Sequence, residues 1–191
     1  MVNFLIFGPP GSGKGTQSVR LAGKFNLLHL STGDMLRAEI ADGTELGKKM
    51  SQIMSKGDLV PDEVVIEMIA HKIDNSKGQS GFLFDGFPRT VTQTISLEKM
   101  LNERGMKIDS MFVLEVEHDE LVKRLIARAE LSGRPDDKDP AVIETRIEVY
   151  KEKTEPIIEY CRKKGIYQPV NGVGTIDDIL RRLTDQMKKF I

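Results

Sequence analysis

Residues 8–17 read GPPGSGKGTQ and directly follow a short apolar run, NFLIF, at residues 3–7. The stretch nearly spells the phosphate-binding loop G-x-x-x-x-G-K-[ST], with Gly8, Gly13 and Lys14 in place. Gly15 stands where the motif has its magnesium-holding hydroxyl, and Thr16 comes one residue late. The context is right: an apolar strand before the loop and a helical pattern after it. Glycines let such a backbone turn tightly and aim its N–H groups inward. The helix N-terminus adds a positive dipole end, and Lys14 adds a mobile charge. The competing reading is a glycine-rich strand-to-helix turn that binds nothing.

Outward from this loop, short apolar runs alternate with longer helical patterns. Strands are expected at residues 3–7, 27–30, 81–85, 111–116 and 166–170. The last contains Pro169, which suits an edge or a strand end. Helices are expected at 14–25, 34–41, 45–56, 62–76, 91–104, 118–130, 140–164 and 176–189. This alternation predicts an α/β protein with a five-stranded parallel sheet covered on both faces, a three-layer arrangement. Two segments interrupt it. Residues 31–60 insert two short helices between the second and third strands. The polar stretch LSGRPDDKDP at 131–140 cannot be core. Excursions of this kind gather at the carboxyl ends of strands, where open α/β sheets bind ligands.

Composition narrows the classes. A chain of 191 residues that is 39% apolar and 30% charged suits one soluble domain that holds its core without disulfides. The single cysteine, Cys161, excludes an internal disulfide and a cysteine-bound zinc, and it favours a reducing, cytoplasmic setting. A net charge of −1 and 6% aromatic residues argue against nucleic acid as a partner. No run approaches the ~20 apolar residues of a membrane span, and the first residues do not have the pattern of a signal peptide.

Asp85 ends the third strand, where phosphate-loop enzymes keep the carboxylate that reaches magnesium, often through water. The arginines are more telling. Arg37 follows STGDML, and Arg89 follows DGFP. Arg124 and Arg128 lie four apart on one helical face, Arg134 sits in the polar excursion, and Arg146 is on the next helix. Singly, each is most simply a solvated surface residue. As a set flanking strand ends, planar guanidinium groups suit two-point clamping of phosphate oxygens. A loop with this many arginines suits more phosphates than one nucleotide carries.

The ordered motifs GPPGSGKGTQ, LSTGDMLR, GDLVPDE, GFLFDGFPRT, the R-x-x-x-R pair and GRPDD resemble the nucleoside monophosphate kinases, most closely the adenylate kinase family. The resemblance spans nearly the whole chain. It implies a P-loop fold with a monophosphate-binding lobe at 31–60 and a short lid at about 129–139. It implies phosphoryl transfer from ATP to AMP, giving two ADP, with magnesium. Carried over by motif position, Gly11, Ser12, Gly13, Lys14, Gly15 and Thr16 would hold the ATP phosphates. Arg124 would stack on the ATP adenine, and the carbonyl near Gly174 could touch that base. Thr32, Arg37, Asp58, Val60, Gly86, Arg89 and Gln93 would form the AMP site, with Arg134 and Arg146 beside it. Lys14, Arg89, Arg124, Arg128, Arg134 and Arg146 would surround the transferring phosphoryl, and Asp85 would hold the metal through water. The implied enzyme is cytoplasmic and monomeric, takes small-molecule nucleotides alone, and has a short lid without structural zinc.

Two residues bear on the base. Thr32 and Gln93 stand where the pyrimidine monophosphate kinases tend to carry alanine and asparagine. The Gln93 amide can donate and accept at an adenine edge. A cytidylate/uridylate kinase is the alternative within the class, and a non-catalytic nucleotide-binding protein is the alternative outside it. The interval from Arg134 to Arg146 is one residue longer than the family's usual spacing. The acceptor would be a phosphate whose second pKa is about 6, so no base is demanded of His29, His71 or His118. A serine at position 15 is expected to disturb the loop rather than repair it.

Overall fold

The computed structural model describes residues 1–132 and 139–191. Five parallel strands form one sheet: β1 (Val2–Phe7), β2 (Leu27–Ser31), β3 (Gly81–Asp85), β4 (Ser110–Glu115) and β5 (Tyr167–Asn171). Their order is β2-β3-β1-β4-β5. Pro169 therefore sits on an edge strand, as its missing N–H requires.

Strand periodicity builds the three layers. Along β1, Phe4 and Ile6 join the cluster that packs helices α1 (Lys14–Phe25) and α9 (Ile176–Met187) against the sheet. Leu5 and Phe7 point the other way, into the cluster that buries helices α4 (Asp62–Asp74), α5 (Val91–Asn102) and α8 (Pro156–Lys163). Both faces are apolar, so the middle strands read as unbroken hydrophobic runs. Each fully buried Phe or Leu there stabilises the fold by roughly 1.5–3 kcal/mol relative to exposure.

The connections decide where a ligand can sit. From β1 the chain leaves by α1 toward β2; from the neighbouring β3 it leaves by α5 toward β4. The two crossovers diverge to opposite faces, which opens a crevice above the carboxyl ends of β1 and β3. The excursion between β2 and β3 carries α2 (Thr32–Ala41) and α3 (Glu45–Met54). On the other side stand α6 (His118–Ser132) and α7 (Pro140–Val149).

One expectation fails. The helix expected over 140–164 is broken: α7 ends at Val149, a π turn spans Tyr150–Thr154, and α8 starts at Pro156. Pro156 has no N–H to continue an α-helical ladder, and its ring opposes the carbonyl four residues back. The chain widens instead, and Glu155 N–H donates to Tyr150 O at 2.8 Å, an i to i+5 bond. Among the described residues, no helix is long and apolar enough to cross a membrane.

Candidate active site

The phosphate-loop candidate joins β1 to α1 at the mouth of the crevice. Gly11 is required there twice over. Its φ is +85°, and a Cβ on it would sit 2.8 Å from Leu121 O of α6. Gly15 is different. Its φ is not positive, and an added Cβ would lie 3.6 Å from Asp85 Oδ2, ordinary contact. The loop backbone therefore does not demand glycine at 15, and the disturbance expected of a serine would fall on Asp85.

Helices α2, α3, α5, α7 and α9 start under a side-chain cap from Ser31, Thr44, Thr90, Asp139 and Thr175. Helix α1 starts behind Gly13 at φ 93°, with no capping side chain and no acidic residue in its first turn. Its first turn lines the crevice with no side-chain cap on its N–H groups, the arrangement that suits an incoming phosphate.

Lys14 curls back over the loop. Its Nζ donates to Gly8 O at 2.6 Å and Pro9 O at 3.0 Å, with Ser12 Oγ at 3.5 Å. Burial lowers its pKa to about 7; Asp85 opposes the shift, and Arg89, Arg128 and Arg146 add to it. Three cations thus bear on a fourth, and a polyphosphate placed among them would offset their mutual repulsion.

Asp85 is buried at the end of β3, and His29 Nε2 lies 3.3 Å from its Oδ2. Sequence reading left His29 without a role. The signal was indirect: β2 and β3 pair in parallel, with Ser31 opposite Asp85, so His29 comes to the same end of the sheet.

A crevice of about 770 Å³ takes lining from Gly11, Gly13, Lys14, Gly15, Thr16, Asp85, Arg124, Arg128 and Gly174. An adjoining pocket takes lining from Thr32, Asp58, Val60 and Gln93. Arg37, Gly86, Arg89 and Arg146 line both. Ser12 is the exception; its side chain is wholly buried beneath the loop. Arg134, and with it most of the expected lid, lies outside the described residues.

The arginines arrive by different routes. Arg124 bonds Glu120 Oε1 at 2.8 Å and Gly172 O at 3.0 Å, which ties α6 to the turn carrying Gly174. Arg37 is paired with Asp34 one turn back on α2. Arg146 lies against Gly57, whose added Cβ would come within 2.9 Å of Arg146 Cγ, so the helical excursion meets α7 there. Arg89 Nε donates to Gly86 O at 2.8 Å, and Thr32 Oγ1 donates to the same oxygen at 2.8 Å. Arg89 O accepts from Thr154 Oγ1 at 2.9 Å. Thr154 belongs to the π turn, and its part in holding Arg89 was not legible from local pattern.

Gln93 is buried on the first turn of α5. Its Oε1 accepts from Arg89 N at 2.7 Å, and its Nε2 donates to Asp62 Oδ1 at 2.6 Å.

The family model described as adenylate kinase matches residues 6–166. An adenylate kinase from Bacteroides thetaiotaomicron is 47% identical over 189 residues, covering 99% of this chain and all of the relative. One from Flavobacterium psychrophilum is 45% identical, covering 97% of each chain. One from Maricaulis maris is 47% identical, covering 93% of this chain and 94% of the relative. A match that runs from the first strand to the threshold of the last, with relatives similar over nearly their whole length, makes this chain a member of the adenylate kinase family.

Proposed function

We propose that the chain is an ATP:AMP phosphotransferase that makes two ADP, with ATP on the 8–17 loop and AMP in the adjoining pocket. The observation that carries this reading is convergence. Asp85, Arg89, Arg128 and Arg146 all act on Lys14 and line one crevice with it, and that crevice adjoins a second pocket.

The reaction needs little from the protein as acid or base, because the acceptor phosphate is already ionised near neutral pH. Two polyanions must be brought in line and their repulsion cancelled. The α1 N-terminus and Lys14 would hold the donor phosphates. Arg89 and Arg146 line both pockets and would bridge donor and acceptor. Arg128 would neutralise charge on the transferring group, and Arg124 would face the donor base. Thr32, Arg37, Asp58, Val60, Gly86 and Gln93 would hold the acceptor nucleotide. Arg134 is assigned the same task as Arg128 on the family pattern alone. Removing one such cation should cost on the order of 10²–10³ in rate.

Magnesium fits this donor set. Among the described residues there is no cluster of three or more metal-ligating side chains. A buried strand-end carboxylate beside the loop is what a cation held mainly by phosphates and water needs from a protein. Asp85 would hold its hydration shell; the ion would neutralise phosphate charge. We place the enzyme in the cytoplasm as a monomer, on its composition and family. Closure of the 31–60 lobe and the lid would exclude water, the competing acceptor.

The test is an assay of ATP and magnesium with AMP, CMP or UMP. ADP should form fastest with AMP. Faster turnover of either pyrimidine nucleotide would move the protein to the alternative class, and binding without transfer would make it non-catalytic. Lys14→Met should abolish transfer while the fold persists.

A further inference from the structure

The Gln93 amide is held at both ends by groups that allow it one orientation. An amide has a donor end and an acceptor end of nearly equal shape, so it can turn over to suit its ligand. Asp62, on the first turn of α4, only accepts when ionised; it therefore demands Nε2, which it meets at 2.6 Å. The Arg89 backbone N–H only donates; it demands Oε1, which it meets at 2.7 Å. Asp62 is itself pinned, since its other oxygen accepts from Thr90 Oγ1 at 3.1 Å. Thr90 caps α5 by accepting from Gln93 N at 3.0 Å. The ring Asp62–Thr90–Gln93 thus closes between the first turns of two helices, and Gln93 is almost completely buried. One N–H and one lone pair of the amide remain for a ligand in the pocket that Gln93 lines.

We infer that Asp62 is a positioning residue for base selection: it locks the Gln93 amide so that the acceptor site reads a 6-amino purine and rejects its 6-oxo counterpart. This rests on the proposed contact of Gln93 with the acceptor base. Adenine offers an amino donor next to a ring acceptor. Hypoxanthine has the same size and the reversed pattern, an oxo acceptor next to a ring N–H. A free glutamine would turn over and serve both. A locked one leaves the oxo base with donor facing donor and acceptor facing acceptor.

The experiment measures kcat and KM for AMP and inosine monophosphate, with saturating magnesium and ATP, in the unaltered protein, Asp62→Asn and Gln93→Leu. Asparagine keeps the size of Asp62 but can donate as well as accept, which releases one end of the lock. In Asp62→Asn the KM for AMP should rise, with kcat nearly held. The ratio of kcat/KM for AMP over the inosine nucleotide should narrow by roughly tenfold, the scale of one mispaired base edge. A parallel fall for both nucleotides, or an unchanged ratio, while Gln93→Leu does narrow it, overturns the role of Asp62. A ratio that survives Gln93→Leu overturns the reading of Gln93 itself. Should Asp62→Asn not fold, the unaltered protein decides by nuclear magnetic resonance: one Gln93 Nε2 proton should exchange with solvent far more slowly than those of surface amides, and fast exchange overturns the lock.

Discussion

Lys14 should report nucleotide binding as proton uptake. Its pKa is lowered to about 7, first by burial and then by Arg89, Arg128 and Arg146. At pH 7 about half of the molecules then carry the proton, and at pH 8 roughly a tenth. A phosphate group about 4 Å away contributes on the order of 4 kcal/mol at an intermediate dielectric, roughly three pKa units, and so returns the lysine toward its ordinary value. Binding should therefore take up about half a proton at pH 7 and about 0.9 at pH 8, where the phosphates of ATP are already ionised. Affinity should fall about tenfold per pH unit above 7, because the protonated form is the one that binds. Stability runs the other way. A lysine with a lowered folded-state pKa holds fewer protons folded than unfolded, so the unliganded protein gains stability as pH rises from about 7 toward 10.5. Calorimetric titration with ATP at pH 8, in two buffers of different protonation enthalpy, reads the uptake directly. No uptake, or equal uptake in Lys14→Met, would refute the placement of Lys14 against the phosphates.

Other perturbations follow from the same geometry. Gly11→Ala combines a positive φ with a Cβ 2.8 Å from Leu121 O; it should cost about 1–3 kcal/mol in thermal or denaturant unfolding and weaken ATP binding. Gly15→Ser should leave stability nearly unchanged, because the Cβ has room, yet lower magnesium-dependent turnover through Asp85; improved turnover in the coupled assay would count against this. Thr154→Val removes the donor to Arg89 O and should lower stability by about 1 kcal/mol and kcat with it, read by melting and initial rates. Cys161 is wholly buried, and its thiol is pushed up to about 12; a thiol reagent at pH 8 should modify it only after denaturant is added.

The phosphate loop was legible because its physics is local: a strand, glycines, a helix start and a lysine fall within residues 2–14. The parallel sheet was legible because strands buried on both faces read as apolar runs of limited length. Asp85 was legible as a strand end, and the arginines as a set. The broken helix over 140–164 was not, because apolar periodicity passed through Pro156 and outweighed the missing N–H. Ser12 shows a finer limit, since a motif position does not say whether a side chain faces the ligand or turns beneath the loop.

By itself, then, the sequence determined the class of fold, the family and the inventory of charges. Period, loop chemistry and residue type are properties of neighbours along the chain. Only the tertiary structure decided which groups hold those charges in place. His29 meets Asp85 from 56 residues away, Thr154 meets Arg89 from 65, and Asp62 meets Gln93 from 31. Such contacts depend on the order of strands and the angle of helices. A hydrogen bond is satisfied within a few tenths of an ångström, and no local pattern carries that information.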